Sequence, residues 1–197
     1  MKITIINLDS GNILSLNNMI RYIGFEPKIS NNINEINESD IIFLPGVGSF
    51  DRMISNLKYK SLYNYFKDKE NFSKKILVGI CVGMHILFNK SEEGNERGLN
   101  LLDGNVVKFK GKNIRIPHMG WNKLLTKKFN QCDDKNFYFA HSYYVDCNEE
   151  IKIGETNYGI SFPSIVNKKN IFGIQFHPEK SHKNGMQLLS EIISSYK

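Results

Sequence analysis

The sequence predicts an α/β protein with a mixed, mainly parallel central sheet flanked by helices and a β-rich C-terminal half. Three observations carry this prediction. Short apolar runs at residues 3–7, 40–46 and 75–80 have the length and β-branched content of buried strands. Between them lie stretches whose apolar residues recur every three or four positions, the pattern of helices that cover both faces of a parallel sheet. From about Leu99 the texture changes to short β-like runs punctuated by Gly, Pro and Asn, which suits antiparallel strands.

In chain order, "ITIIN" (Ile3 to Asn7) reads as a buried strand, followed after the turn "LDSGN" by a helical stripe of Ile13, Leu16, Ile20 and Ile23. "DIIFLPG" (Asp40 to Gly46) is a second strand stopped by Pro-Gly, and Phe50, Met53, Ile54 and Leu57 form the next stripe. "KILVGI" (Lys75 to Ile80) is a third strand that leads into a helix over "VGMHILF". The runs "NVVKF", "FYFAHSYYV" and "IFGIQF" supply strands of the second half, and Met186, Leu189, Ile192, Ile193 and Tyr196 make a closing amphipathic helix. No repeat or linker separates the two textures, so residues 1–197 are expected to form one domain around one mixed sheet.

Composition narrows the function classes. A chain of 197 residues, 41% apolar and 23% charged, is an ordinary globular chain, and no secretory leader or membrane span can be fitted to it, so a cytoplasmic protein is expected. Cys81, Cys132 and Cys147 are odd in number and lack paired close spacing, which argues for reduced thiols and against a zinc site or disulfide framework. The net charge of +6 raises the question of nucleic acid. Only four of the 26 basic residues are arginine, and the lysines are scattered, with "KFKGK" (Lys108 to Lys112) the densest group. That pattern describes a solvated surface, so no nucleic-acid partner, membrane partner, metal or cofactor is expected.

The chemistry centres on "KILVGICVGM". Gly79, Ile80, Cys81, Val82 and Gly83 follow the glycine, any residue, nucleophile, any residue, glycine pattern at a strand-to-helix junction, where the glycines permit a sharp turn that exposes the thiol. The helix start favours thiolate, the reactive form. The competing reading is a buried structural cysteine. A nucleophilic cysteine needs a base, and "GIQFHPEKS" offers His177 at the end of an apolar run, with Glu179 two residues on to orient its ring. Pro178 should stop the strand and leave both in an exposed loop. "LPGVGSF" places Gly46, Val47 and Gly48 just past a strand end, where glycine freedom lets backbone N–H groups converge on an oxyanion.

With "PGVGSF", "GICVGM" and "FHPEKS" in this order, together with "NLDSGN", "SEEGNERGLNLLDGNVVKF", "IPHMGWN" and "FYFAHSYYV", the chain resembles the class I glutamine amidotransferases over nearly its whole length. Among them it is most similar to the HisH family, the glutaminase subunits of imidazole glycerol phosphate synthase. The resemblance implies the class I glutamine amidotransferase fold and a single type-1 domain. It further implies hydrolysis of L-glutamine to glutamate and ammonia, with Cys81 as nucleophile, His177 as acid and base and Glu179 as orienting carboxylate. Gly46, Val47 and Gly48 would form the oxyanion segment, and Ser142 and Tyr143 would hold the glutamine backbone. The implied partner is a (βα)₈-barrel synthase subunit of the HisF kind, which receives the ammonia, and Asn12, Trp121, Tyr138 and Lys180 match the docking surface. Trp121 reads equally as core packing.

One position departs from the family. Where its members carry glutamine in "GMQ", this chain has His85 in "GMHILF", one helical turn after Cys81 and so on the same helix face. His85 is expected to border the substrate pocket and to make glutamine binding weaker or more pH-sensitive. HisH-like subunits also feed ammonia to amidino-sugar synthesis for surface polysaccharide, and a non-catalytic scaffold or a cysteine hydrolase of other amides are further alternatives.

Overall fold

Strands buried on both faces must be apolar throughout, and two strands of six residues meet that demand. In the computed structural model, which describes residues 1–111 and 114–196, these are residues 41–46 and 76–81, with every residue buried. Lys112 of the basic group at 108–112 lies outside the described residues. The first half runs β1 (Ile3–Ile5), α1 (Ile13–Tyr22), β2 (Pro27–Ile29), α2 (Ile33–Asn37), β3 (Ile41–Gly46), α3 (Phe50–Tyr59), α4 (Tyr63–Lys67), β4 (Ile76–Cys81) and α5 (Val82–His85). The second half runs β5 (Gly104–Lys108), β6 (His118–Leu124), β7 (Lys135–His141), β8 (Tyr143–Cys147), β9 (Lys152–Asn157), β10 (Ser161–Lys168), β11 (Ile171–Ile174) and α6 (His182–Ser194).

Seven strands form the central sheet in the order β2-β1-β3-β4-β11-β10-β9. The first five are parallel, and β10 and β9 close the sheet antiparallel. Gly46 and Cys81 are register partners at the C-terminal ends of β3 and β4, the end where open α/β sheets carry their sites. Ser49 caps α3 by accepting from the Arg52 N–H, and α3 buries Phe50, Met53, Ile54 and Leu57, the stripe read from sequence.

Four expectations are corrected. The strands β5 to β8 do not join the central sheet; they form two antiparallel ribbons, β5-β8 and β6-β7, that stand beside it. The run "FYFAHSYYV" is therefore not one strand, because it changes partner at Ser142. The helix after Cys81 covers only Val82–His85, since the carbonyls of Ile86 and Phe88 turn to bond Leu99 and Asn100 N–H groups of the next loop. Finally, His177 and the carboxyl of Glu179 are buried, not exposed. The strand ends at Ile174, and the chain beyond it packs against β7 through a bond from the His177 N–H to the Tyr138 carbonyl at 2.9 Å. Among the described residues no helix is long and apolar enough to cross a membrane.

Candidate active site

The turn between β4 and α5 holds Cys81 at φ +55°, a positive value uncommon for a residue with a side chain. What holds it there is close backbone approach on both sides. A Cβ on Gly79 would strike the backbone of Gly83, and a Cβ on Gly83 would strike the Leu44 carbonyl on β3. Only glycine fits at either place, so the elbow is locked between β3 and β4 with Cys81 at its tip. The other two thiols are unlike it. Burial pushes Cys132 up to about 12 and Cys147 up to about 11, so both stay protonated and inert near neutral pH.

His177 and Glu179 come together as the spacing anticipated, although through a tight 3₁₀ turn over Pro178–Lys180 and not an extended segment. His177 Nδ1 lies 2.8 Å from Glu179 Oε1, which also accepts from Asn12 Nδ2 at 2.8 Å. With Nδ1 engaged, Nε2 is the ring nitrogen left to face the cavity that His177 shares with Cys81. Burial alone would lower the His177 pKa. The negative charge of Cys81, its hydrogen bond and the Glu179 carboxylate outweigh burial and raise it to about 10. Burial likewise pushes Glu179 upward, but its bonds to His177 and Asn12 hold it below the ordinary carboxylate value. His177 is therefore held as an imidazolium beside an ionised Glu179.

The segment Gly46, Val47 and Gly48 lies across the pocket. Gly48 sits at φ +97°, open to glycine and strained for other residues. The Val47 N–H does not point at Cys81: it donates to Ser10 Oγ at 3.0 Å, and the same hydroxyl donates to the Val47 carbonyl. One serine side chain therefore grips both ends of this residue and holds the candidate oxyanion donor aside.

Cys81 and His177 line a cavity of about 420 Å³, together with Asn12, Val47, Gly48, His85, Ser142 and Tyr143 from the sequence reading and Lys180 from the expected docking surface. His85 is buried, its Nε2 2.8 Å from Gln175 Oε1, and its Nδ1 has no partner among the described residues. Burial, only partly opposed by the Gln175 bond, lowers its pKa to about 4, so the ring is neutral over pH 6–8 and the expected pH sensitivity is removed. Trp121 is half exposed, which discards core packing; it meets Tyr138 edge-on at 5.9 Å and stacks on His182. Lys180 Nζ lies 5.5 Å from the Tyr138 ring. These three form one patch beside the pocket mouth, whereas the Asn12 amide is spent on Glu179. A larger cavity of about 600 Å³, lined by Lys74, Lys128 and Lys169, lies beyond the opposite ends of the strands, and its lining includes no cysteine, histidine or carboxylate among the described residues.

Residues 4–193 match the family described as glutamine amidotransferase class-I. The chain is 46% identical over 198 residues to imidazole glycerol phosphate synthase subunit HisH 2 of Methanococcus maripaludis, covering 97% of this chain and 98% of that protein. It is also 46% identical to subunit HisH of Bacillus mycoides, covering 95% of this chain and 91% of that protein. The chain belongs to the class I glutamine amidotransferases. Its similarity places it among the HisH subunits of that family, as a glutamine-hydrolysing enzyme. A crystal structure of a glutamine amidotransferase shares the fold at TM-score 0.79 and 15% identity, covering 98% of this chain and 97% of that one.

For a glutamine amidotransferase, two pocket features escaped the sequence reading. Glu93 is the one carboxylate lining the cavity among the described residues, a match for an α-ammonium group, and its Oε2 also accepts from the Phe50 N–H at the start of α3. "SEEGNERG" carried resemblance, yet nothing local in it singles out Glu93. The Ser10 contact joins residues 37 positions apart and has no sequence signal at all.

Proposed function

We propose that Cys81, His177 and Glu179 are the glutaminase triad of this chain. Its ammonia passes to a (βα)₈-barrel synthase subunit of the HisF kind, which makes imidazole glycerol phosphate and AICAR in histidine biosynthesis. The observation that carries this is Cys81, at the tip of a glycine-locked elbow, sharing one cavity with a buried His177 that is bonded to Glu179. The Cys81 thiolate attacks the amide carbon of glutamine, and the electron pair moves to the carbonyl oxygen. His177 gives its proton to the departing nitrogen, so ammonia leaves and a glutamyl thioester remains. His177, now neutral, takes a proton from water as the water attacks the thioester; glutamate leaves and the thiolate is restored. Glu179, steadied by Asn12, stabilises the imidazolium at each stage.

The oxyanion donors are the Val82 N–H at the start of α5 and an N–H of the Gly46, Val47, Gly48 segment once it turns inward. Glu93 takes the α-ammonium group, and Ser142 and Tyr143 hold the α-carboxylate end. Met119 and Trp121, exposed on one face of β6, with Tyr138 and Lys180 form an aromatic and basic surface suited to a partner with an acidic rim. The test is glutamine hydrolysis with and without the barrel subunit and its acceptor. Cys81→Ala is expected to remove glutamine-dependent product while added ammonia still supports the barrel reaction; an unchanged glutaminase rate in Cys81→Ala refutes the assignment. A second reading is a paralogue serving another ammonia-consuming barrel. Stimulation by an amidino-sugar partner but not by the histidine-pathway barrel would select it.

A further inference from the structure

Behind the substrate pocket lies a second pair of histidines that the triad chemistry does not use. His118 opens β6 and His141 closes β7, and they are register partners across the ribbon. His118 Nδ1 lies 3.0 Å from His141 Nε2, and His141 Nδ1 lies 2.8 Å from the carbonyl oxygen of Tyr143. Both rings are buried. His118 is stacked between Phe139 and Tyr158, with centroids at 4.7 and 3.9 Å, and His141 packs on Phe109 and Phe162. Among the described residues no group of three or more His, Cys, Asp or Glu could hold a metal ion, so ligation does not account for the pair.

The acceptor at the end of this chain fixes every proton in it. A carbonyl oxygen only accepts, so His141 carries its hydrogen on Nδ1. In a neutral ring Nε2 is then a lone pair, which requires the facing Nδ1 of His118 to carry a hydrogen. His118 Nε2 is left as an acceptor facing Asn122 Nδ2 at 3.4 Å. Neutrality follows from the surroundings: burial lowers His118 to about 4 and His141 well below its ordinary value, and the neighbouring His177 already carries positive charge.

The carbonyl at the end of the chain matters because of where it is. Ser142 is the residue at which the backbone leaves the β6-β7 ribbon and enters β8, paired with β5. The His141 ring reaches across Ser142 to the Tyr143 carbonyl and so staples this bend, while the Ser142 carbonyl is held by the Phe109 N–H at 3.2 Å. Ala140, His141, Ser142 and Tyr143 all line the pocket that contains Cys81. We propose that His118 and His141 are positioning residues for glutamine binding: a neutral pair locked in one tautomer, they clamp the Tyr143 carbonyl and set the bend that forms one pocket wall. The role in glutamine binding rests on the glutaminase reading, whereas the clamp itself does not.

Two measurements test it. In the nitrogen-15-labelled full chain at pH 7, two-bond proton–nitrogen correlations of the histidine rings should show both His118 and His141 neutral and protonated on Nδ1. An Nε2–H tautomer or a protonated ring at either position overturns the clamp, whether or not the protein hydrolyses glutamine. In the complex with its barrel subunit, His118→Phe keeps the stacked ring but removes the donor to His141. It should raise KM for glutamine by ~10-fold, the scale of one buried hydrogen bond lost, with kcat within about twofold. His118→Asn, which returns an N–H donor near Nδ1, should recover most of that loss. A wild-type KM in His118→Phe, or a fall confined to kcat, overturns the positioning role. A complex inactive with every partner would instead remove the glutaminase reading and leave the tautomer result to stand.

Discussion

The two walls of the pocket that holds Cys81 are built to different degrees of completeness. On one side Cys81 is fixed by backbone contacts between β3 and β4 that only glycine permits, and His177 is held through Glu179 to Asn12. On the other side the Gly46, Val47, Gly48 segment leaves the Val47 N–H on Ser10, with Val47 more than one-third exposed and Gly48 at positive φ. The first wall costs nothing to use, because its geometry is enforced by the sheet. The second must break two hydrogen bonds to Ser10 before it can serve a tetrahedral intermediate. If Cys81 and this segment act as proposed, the asymmetry pairs a ready nucleophile with a withheld oxyanion donor, which suits a glutaminase that releases ammonia only when a partner can receive it.

The largest effect is expected from damaging the ready wall. His177→Asn should lower glutamine turnover in the complex by at least ~100-fold, the usual contribution of a general acid and base. Thioester formation unaffected by the change would remove His177 from the mechanism. The same wall predicts a pH effect on stability. The folded pKa of His177 is raised from 6.5 to about 10, so the stabilisation it supplies is fully present below 6.5 and is lost as pH rises towards 10. Wild-type Tm should therefore fall more between pH 7 and 10 than the Tm of His177→Asn. Parallel pH–Tm curves would show that the imidazolium is not held as described.

A tenfold effect of opposite sign is expected from the withheld wall. Ser10→Ala deletes both bonds to the Val47 backbone, and their loss is worth on the order of 1–1.5 kcal/mol in the balance between outward and inward states. Hydrolysis by the chain without its partner should rise by ~10-fold, while the stimulated rate of the complex changes little, so the ratio between them narrows. An unchanged basal rate in Ser10→Ala would place the barrier to inward rotation elsewhere.

This asymmetry also marks how far the sequence could be read. The ready wall was legible because each part has a local signature: an apolar run ending in the glycine-flanked Cys81, and His177 followed by Pro178 and Glu179. Their burial was not legible, since it comes from β7 and α1 folding over the loop. The parallel half of the sheet was legible for a similar reason: strands such as β3 and β4 are apolar without interruption. β2 was missed because it is a three-residue edge strand, partly exposed, with no such run. In the second half the run Phe137 to Val145 looks like one strand, and only the ribbon partners reveal the break at Ser142. The Ser10 grip is a contact between distant loops and leaves no periodicity or motif to find.

The smallest effect concerns His85, which belongs to neither wall completely. It sits at the end of the one-turn helix that begins after Cys81, on the cavity, with Nε2 bound to Gln175. Because burial holds its pKa near 4, the ring neither gains nor loses a proton over pH 6–8 and cannot act as the acid or base in that range. Its influence is then limited to shape and hydrogen bonding towards glutamine. A glutamine side chain at this position offers both a donor and an acceptor on a flexible stem, whereas the neutral imidazole, once Nε2 is engaged, has a single nitrogen left. His85→Gln should therefore lower KM for glutamine by about threefold with kcat within about twofold, as expected where binding changes equally in ground and transition states. The ratio of wild-type to His85→Gln KM should stay constant from pH 6 to pH 8. A ratio that varies through that interval would mean that the ring titrates and is less enclosed than the structure shows. A kcat loss in His85→Ala as deep as that of His177→Asn would move His85 into the ready wall and require the division of roles between the two histidines to be redrawn.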